Sequence, residues 1–258
     1  MHPQRPLAPP LLALALLGLN AAPALAAPDE IQVYTEEMDD PGQFGLELHV
    51  NYSAVGKTQP AYPHQTPPNH VLQVTPEFSY GITPNLEAGL YVPFAIAPDG
   101  RSYENGLRGR LKYMAPRPDG SPFFWGLNVE LGHSSARVSE SQTTLEIRPI
   151  IGYRDKNWLA DINPILDANL SANTSRVPAF EPAVKVSRHL QGETWAGLEY
   201  YGSYGPIKHL SQGADQSHYL FGAVDFAYRG YDFNLGIGRG YAAADDKWVI
   251  KGIIAFPF

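Results

Sequence analysis

The chain has 258 residues, of which 44% are hydrophobic and 12% aromatic, and it contains no cysteine. A formal charge of −7 argues against a nucleic-acid-binding surface, which needs clustered lysine and arginine. The lack of cysteine excludes a disulfide-stabilised scaffold and thiol catalysis.

The first 26 residues have the composition of a secretory signal peptide. Arg5 supplies a positive region, an apolar stretch runs from Leu11 to Leu19, and Ala24-Leu25-Ala26 offers the small residues of a cleavage site. The apolar stretch is shorter than the roughly 20 residues that a membrane-spanning helix needs. We therefore expect residues 1–26 to direct export. Residues 27–43, which are acidic and irregular, are expected to form a periplasmic N-terminal segment.

From residue 44 onward, apolar and polar residues alternate with the period of a β-strand. Phe44, Leu46 and Leu48, for example, alternate with Glu47 and His49. The pattern recurs over about twelve segments of roughly 9–11 residues, the length of a tilted strand that crosses a bilayer. Long connections, near 55–69, 96–104, 133–142, 171–179, 206–217 and 242–246, alternate with short ones. The sequence predicts an all-β, antiparallel, up-and-down transmembrane β-barrel over residues 44–258, in the outer membrane of a Gram-negative bacterium.

The chain ends on a phenylalanine within its last predicted strand. Phe256 and Phe258 share one face of this strand. This ending resembles the C-terminal signature by which outer-membrane proteins are recognised for barrel assembly. We therefore expect Phe256 and Phe258 to be an assembly signal, and the barrel-assembly machinery and outer-membrane lipids to be partners.

Charged residues occupy the polar face of the predicted strands, and their sign changes from strand to strand. We expect them to line the lumen, where opposite charges on neighbouring strands can pair. This pattern suits a lumen filled by salt bridges, and it also suits the charged constriction of a pore. The predicted lumen-lining residues are Glu77, Glu87, Arg108, Arg110, Lys112, Glu130, Glu146, Arg148, Asp161 and Asp167.

His133 and Ser135 fall on one face at the external end of a predicted strand. Their spacing resembles the His-x-Ser of outer-membrane phospholipase A and of lipid A deacylase, in which a histidine base activates a serine nucleophile. Both families follow the serine with asparagine, whereas this chain has Ala136, and no third catalytic residue appears on the next strand. We therefore expect no enzymatic activity. The chain shows no convergent set of metal ligands, so we also expect no metal and no cofactor.

Three stretches resemble an outer-membrane family linked to phenol degradation by the meta pathway. They are Pro41–Leu48 (PGQFGLEL), Thr75–Gly81 (TPEFSYG) and Leu86–Tyr91 (LEAGLY). The resemblance implies transport or sensing of aromatic compounds. We expect a passive channel for a small, aromatic or hydrophobic solute. The alternatives are a non-transporting structural or adhesion barrel and a lipid hydrolase that uses His133 and Ser135.

Overall fold

The computed structural model describes residues 29–172 and 175–257. The expected signal peptide and Phe258 lie outside the described residues. Within those residues, no helix is long and apolar enough to cross a membrane.

The described residues form a closed barrel of twelve antiparallel strands, four of which consist of two segments. Each strand pairs with the strands before and after it in the chain, and the last strand pairs with the first from Leu46↔Phe256 to Ser53↔Val249. The all-β, up-and-down prediction is therefore confirmed. The strands are β1 (Phe44–Val55), β2 (Leu72–Thr83), β3 (Leu86–Tyr91 and Phe94–Ile96), β4 (Ser102–Glu104 and Gly106–Met114), β5 (Phe123–Ser134), β6 (Thr143–Arg154), β7 (Trp158–Asn163 and Leu166–Asn169), β8 (Ala179–Phe180 and Ala183–Gln191), β9 (Thr194–Ser203), β10 (Ser217–Tyr228), β11 (Tyr231–Gly240) and β12 (Trp248–Phe256).

The outer surface of the barrel is an apolar band. In β5 every second residue points outward and is exposed, including Trp125 (58%) and Leu131 (56%), while Asn128 and Glu130 between them are buried in the interior. A continuous apolar surface of this extent is unstable in water, whereas hydrocarbon solvates it. Aromatic side chains are exposed near both ends of the barrel, where they suit the level of the lipid headgroups. These are Phe44, Tyr80, Tyr113, Phe123, Trp158, Tyr228 and Tyr231 at one end and Phe94, Tyr241 and Trp248 at the other.

Most of the longer connections lie at one end of the barrel and the shortest at the other, as the sequence predicted; the exception is connection 115–122, which is long but lies at the short-turn end. The β10–β11 connection is a two-residue turn in which Arg229 (φ 56°) and Gly230 (φ 85°) both have positive φ, the requirement of a type I′ hairpin. The connections at the long-loop end cover 56–71, 97–101, 135–142, the described residues 170–172 and 175–178, 204–216 and 241–247. We take the long-loop end as external and the short-turn end as periplasmic.

Two strands that the sequence predicted as continuous are interrupted at proline. β3 breaks at Val92-Pro93, and β7 breaks at Pro164-Ile165. Proline has no backbone N–H to donate to the neighbouring strand, so pairing stops there and resumes on the far side.

Candidate functional site in the lumen

The ten charged residues predicted to line the lumen all lie at inward positions, and each is buried or half-buried. Arg110 is the centre of this group. Its Nη2 atom lies 2.5 Å from Glu77 Oε1 and 2.7 Å from Glu87 Oε1, and its Nε atom donates to Glu77 Oε1 at 2.7 Å and to the Tyr91 hydroxyl at 3.1 Å. One guanidinium therefore ties β4 to β2 and β3 across the interior.

The other predicted arginines pair in the same way. Arg108 Nε lies 3.3 Å from Glu130 Oε1 on β5. Arg148 pairs with Glu146 on its own strand, with 2.7 Å between Nε and Oε1. Asp161 differs, because neither of its carboxylate oxygens has a hydrogen-bond partner among the described residues. Arg108, Arg110 and Arg148 are thus each paired with a carboxylate of the wall.

Residues 29–40 lie inside the barrel. Sequence analysis interpreted residues 27–43 as a periplasmic segment, whereas the structure places the described part against inward-facing side chains. The Tyr34 N–H donates to Asn163 Oδ1 at 2.7 Å, Asn163 Nδ2 donates to the Tyr34 carbonyl at 3.0 Å, and Lys251 Nζ donates to the Ile31 carbonyl at 3.1 Å. We call residues 29–40 the luminal segment.

The acidic residues of the luminal segment meet the arginines of the wall. Asp29 and Glu30 lie 3.2 and 3.4 Å from Arg108 Nη2, and Glu30 also lies 3.4 Å from Arg148 Nη1. Nearer the periplasmic end, Glu36 lies 2.7 Å from Arg154 Nε. Inside the lumen, the acidic side chains of the luminal segment therefore pair with arginines of the wall.

Tyr34 is the central contact of the luminal segment, and only 4% of it is exposed. Three cations surround its ring: Arg148 Cζ lies 4.1 Å, Lys112 Nζ 5.3 Å and Arg110 Cζ 5.7 Å from the ring centroid. Its hydroxyl forms a hydrogen bond with the hydroxyl of Tyr91. Desolvated cation–π contacts of this kind are each worth about 1–2 kcal/mol.

Two apolar residues that precede Tyr34 face other parts of the wall. Ile31 packs with Tyr219, Phe221 and Val249, and Val33 packs with Ile165 and Ala183. The segment therefore contacts both sides of the barrel at this level, and it fills the middle of the lumen.

The opposite wall carries a second charged network, which sequence analysis missed. Lys185 Nζ lies 2.7 Å from Asp225 Oδ1 and 3.4 Å from Glu199 Oε1, and Lys251 Nζ also binds Glu199. Asn234 Nδ2 donates to Asp225 Oδ1 at 2.7 Å. The sequence did contain a sign of this network. Apolar and polar residues alternate only weakly in β8 and β9, but Lys185 and Glu199 lie at alternate positions that also hold small inward-facing residues.

A cavity of about 600 Å³ lies between the luminal segment and the wall at the periplasmic side. Its lining reaches Gly192 and Glu193 of the β8–β9 turn, so it extends to the periplasmic end. Trp195 and His189, whose ring centroids are 4.9 Å apart, form part of its wall. We call this cavity the periplasmic vestibule.

At the external end, the last loop is held against the first strand. Asp246 accepts hydrogen bonds from Ser53 Oγ at 2.7 Å and from the Lys57 N–H at 2.9 Å. Asp245 accepts from the backbone N–H groups of His218 and Ala242 at 3.0 and 2.8 Å. Burial raises the pKa of Asp246, and the hydrogen bond from Ser53 opposes this change. Loop 241–247 is thus fixed over one side of the mouth.

The rim residues His133 and Ser135 have separate partners among the described residues. His133 Nδ1 lies 3.1 Å from Thr143 Oγ1, and Ser135 Oγ accepts from the Arg137 N–H at 3.3 Å. The structure does not bring the two side chains together as a base and a nucleophile.

Comparison with known proteins shows similarity of fold. No protein-family model matches the chain, and no curated protein matches its sequence. The COG4313 outer membrane channel from Pseudomonas putida F1 is similar with a TM-score of 0.58 and 12% identity, over 89% of this chain and 100% of that chain. LpxR from Salmonella typhimurium has a TM-score of 0.45 and 11% identity, over 83% and 100% of the two chains. This protein is a bacterial outer-membrane β-barrel.

One expectation is corrected by these comparisons. Sequence analysis expected no enzymatic activity, but the solved barrels that this chain resembles include enzymes, LpxR among them. The comparisons therefore contradict that expectation.

The Arg110 pairs provide a test of the wall. We expect Arg110→Met to lower the free energy of unfolding by about 3–5 kcal/mol, because it leaves buried Glu77 and Glu87 without their cation. Chemical denaturation in detergent micelles measures this loss. Arg101→Met is the matched control: Arg101 also pairs with a carboxylate, that of Asp99, but it is 84% exposed, and its loss should leave stability unchanged. Equal effects of the two changes would contradict this account.

Gly81 provides a test of how the luminal segment is seated. A Cβ atom at Gly81 would lie 2.2 Å from the Asp40 carbonyl oxygen, so Gly81→Val should displace the segment where it leaves the lumen. Glutamyl endopeptidase should then cleave after Glu30, Glu36 or Glu37 faster than in the wild type. Gly222 has open space around its Cβ position, so Gly222→Val is the control and should cleave at the wild-type rate. Wild-type cleavage in Gly81→Val would show that the segment is not seated at this glycine.

Proposed function

We propose that the protein is a channel for small solutes whose lumen is gated by the luminal segment. The observation that carries this proposal is the arrangement of the lumen: a segment fills its middle, and a vestibule of about 600 Å³ lies beside it. A barrel that served only as a structural element would need no such vestibule. Residues 29–40 are not part of any strand of the wall, so the segment can leave without breaking the barrel's ladder of hydrogen bonds.

The charges of the lumen support passage of polar solutes. The wall keeps its internal ion pairs when the segment leaves, because Arg108, Arg110 and Arg148 each have a partner in the wall. A pathway lined by such pairs remains wetted and polar, as selective pores require. Displacement of the segment therefore leaves a lined passage in which Arg108, Arg110 and Arg148 stay paired and Arg154 loses its carboxylate partners.

An aromatic or weakly polar solute suits the vestibule. The half-buried rings of Trp195 and His189 line the vestibule and offer an aromatic contact beside the charged network of Lys185 and Asp225. The similarity to the COG4313 channel and the resemblance to the phenol-degradation family agree with transport of small molecules. The rival function is a plugged, non-transporting barrel, which the same interior of salt bridges would also stabilise.

Single-channel recording in planar bilayers tests this function. Deletion of residues 29–38 should raise the conductance several-fold over the wild type, because it opens the middle of the lumen. It should also shift ion selectivity toward anions, because it removes Asp29, Glu30, Glu36 and Glu37 and leaves Arg154 without its carboxylate partners. Tyr34→Ala should have a smaller effect in the same direction.

The matched control is Tyr228→Ala, which removes an equal side chain from the lipid-facing surface. This variant should conduct like the wild type. Heat-modifiable migration in electrophoresis verifies that each variant is a folded barrel. A folded deletion variant that conducts no ions would contradict the channel and leave the plugged barrel as the function.

A further inference from the structure

A histidine and two glutamates converge beside the periplasmic vestibule, which the two glutamates line. They are Glu47 and His49 of β1 and Glu77 of β2. His49 Nε2 lies 3.0 Å from Glu77 Oε2 and 3.7 Å from Glu47 Oε2, and the three donor atoms all lie within 4.8 Å of one another. Ligand atoms about 2.0–2.2 Å from a tetrahedral zinc ion are separated by about 3.3–3.6 Å, so these side chains need little movement to hold one.

The register of the sheet makes this cluster unfavourable without a cation. Glu47 and Glu77 stand directly opposite each other on neighbouring strands, and both side chains point inward. Like charges in directly opposite positions destabilise a sheet. The Arg110 guanidinium relieves only Glu77, since it binds Oε1 and leaves Oε2 facing His49.

The surrounding charges leave an excess of two negative charges. Four carboxylates, those of Asp39 in the luminal segment and of Glu47, Glu77 and Glu87 in the wall, share this region with two cations, Arg110 and Lys112. The contacts of Glu47 are long: Gln32 Nε2 lies at 3.4 Å and His49 Nε2 at 3.7 Å. A divalent cation would balance the excess and give Glu47 a close partner.

We propose that Glu47, His49 and Glu77 form a binding site for a divalent transition metal ion of the zinc type. Imidazole nitrogen and carboxylate oxygen suit Zn²⁺, whereas Ca²⁺ and Mg²⁺ prefer oxygen ligands alone. His49 is fully buried and fixed, and the Glu47 side chain is 35% exposed toward the vestibule that both glutamates line. The vestibule thus supplies a path for the ion and room for a water or solute ligand. Sequence analysis expected no metal because the spacing within β1 does not reveal the contribution of Glu77 from β2.

Calorimetric titration with Zn²⁺ tests the site. The folded, full-length mature protein is purified in detergent with a tag that lacks histidine and is freed of metal with a chelator. We expect one equivalent of Zn²⁺ to bind the wild type. His49→Asn and Glu47→Gln should each weaken the affinity by at least about 100-fold, because each replaces a ligand and loss of an outer-shell partner alone costs about 10–100-fold. The measurement needs no conductance, so it stands apart from the channel function.

The control is His189→Asn, because His189 lines the same vestibule but binds the Gly192 carbonyl away from the cluster. It should bind Zn²⁺ as the wild type does. Glu47 has no lysine or arginine within salt-bridge distance among the described residues, so Glu47→Gln keeps the test valid if His49→Asn does not fold.

A protonated His49 between the two carboxylates is the alternative. A folded wild type that binds no Zn²⁺, or equal affinity in the ligand variants, would establish that alternative and overturn the site.

Discussion

The structure depends on the pairing of an acidic segment with a basic wall inside a closed barrel. A buried arginine without a carboxylate is strongly destabilising. Arg154 meets this requirement only through the segment, since Glu36 and Glu37 are its ion-pair partners among the described residues. Arg108 and Arg148 have partners in the wall and gain Glu30 in addition. The segment therefore contributes ion pairs to the interior of the barrel, and it also packs against the wall through Tyr34, Ile31 and Val33.

The barrel itself could be predicted because its physics is local. A strand with lipid on one side and a polar lumen on the other must alternate at every residue, and the alternation survives in a single sequence. The interruptions within strands were less predictable. Pro93 and Pro164 interrupt β3 and β7 inside stretches that alternate correctly, because a missing N–H matters only once the partner strand is in place.

The content of the lumen was only half predictable. Strong charge rows, such as Arg108, Arg110 and Lys112, identified the inward face of β4 from its own sequence. The luminal segment could not be found in this way, because an acidic, irregular stretch has the composition of a solvated tail. Its place depends on arginines more than 70 residues away along the chain, such as Arg108 for Glu30. The Glu47–His49–Glu77 cluster depends likewise on the register of β1 against β2, which no single strand encodes.

The central claim, that residues 29–40 are held inside the lumen, is tested most directly by hydrogen–deuterium exchange. The Tyr34 amide donates to the buried Asn163 side chain, so peptides covering residues 30–36 should exchange slowly, on the minutes-to-hours scale of opening. Asn163→Ala should speed exchange at Tyr34 while the barrel strands keep their protection. Wild-type peptides that exchange as fast as those of the exposed loop 97–101 would contradict the account, because the segment would then be a free periplasmic tail.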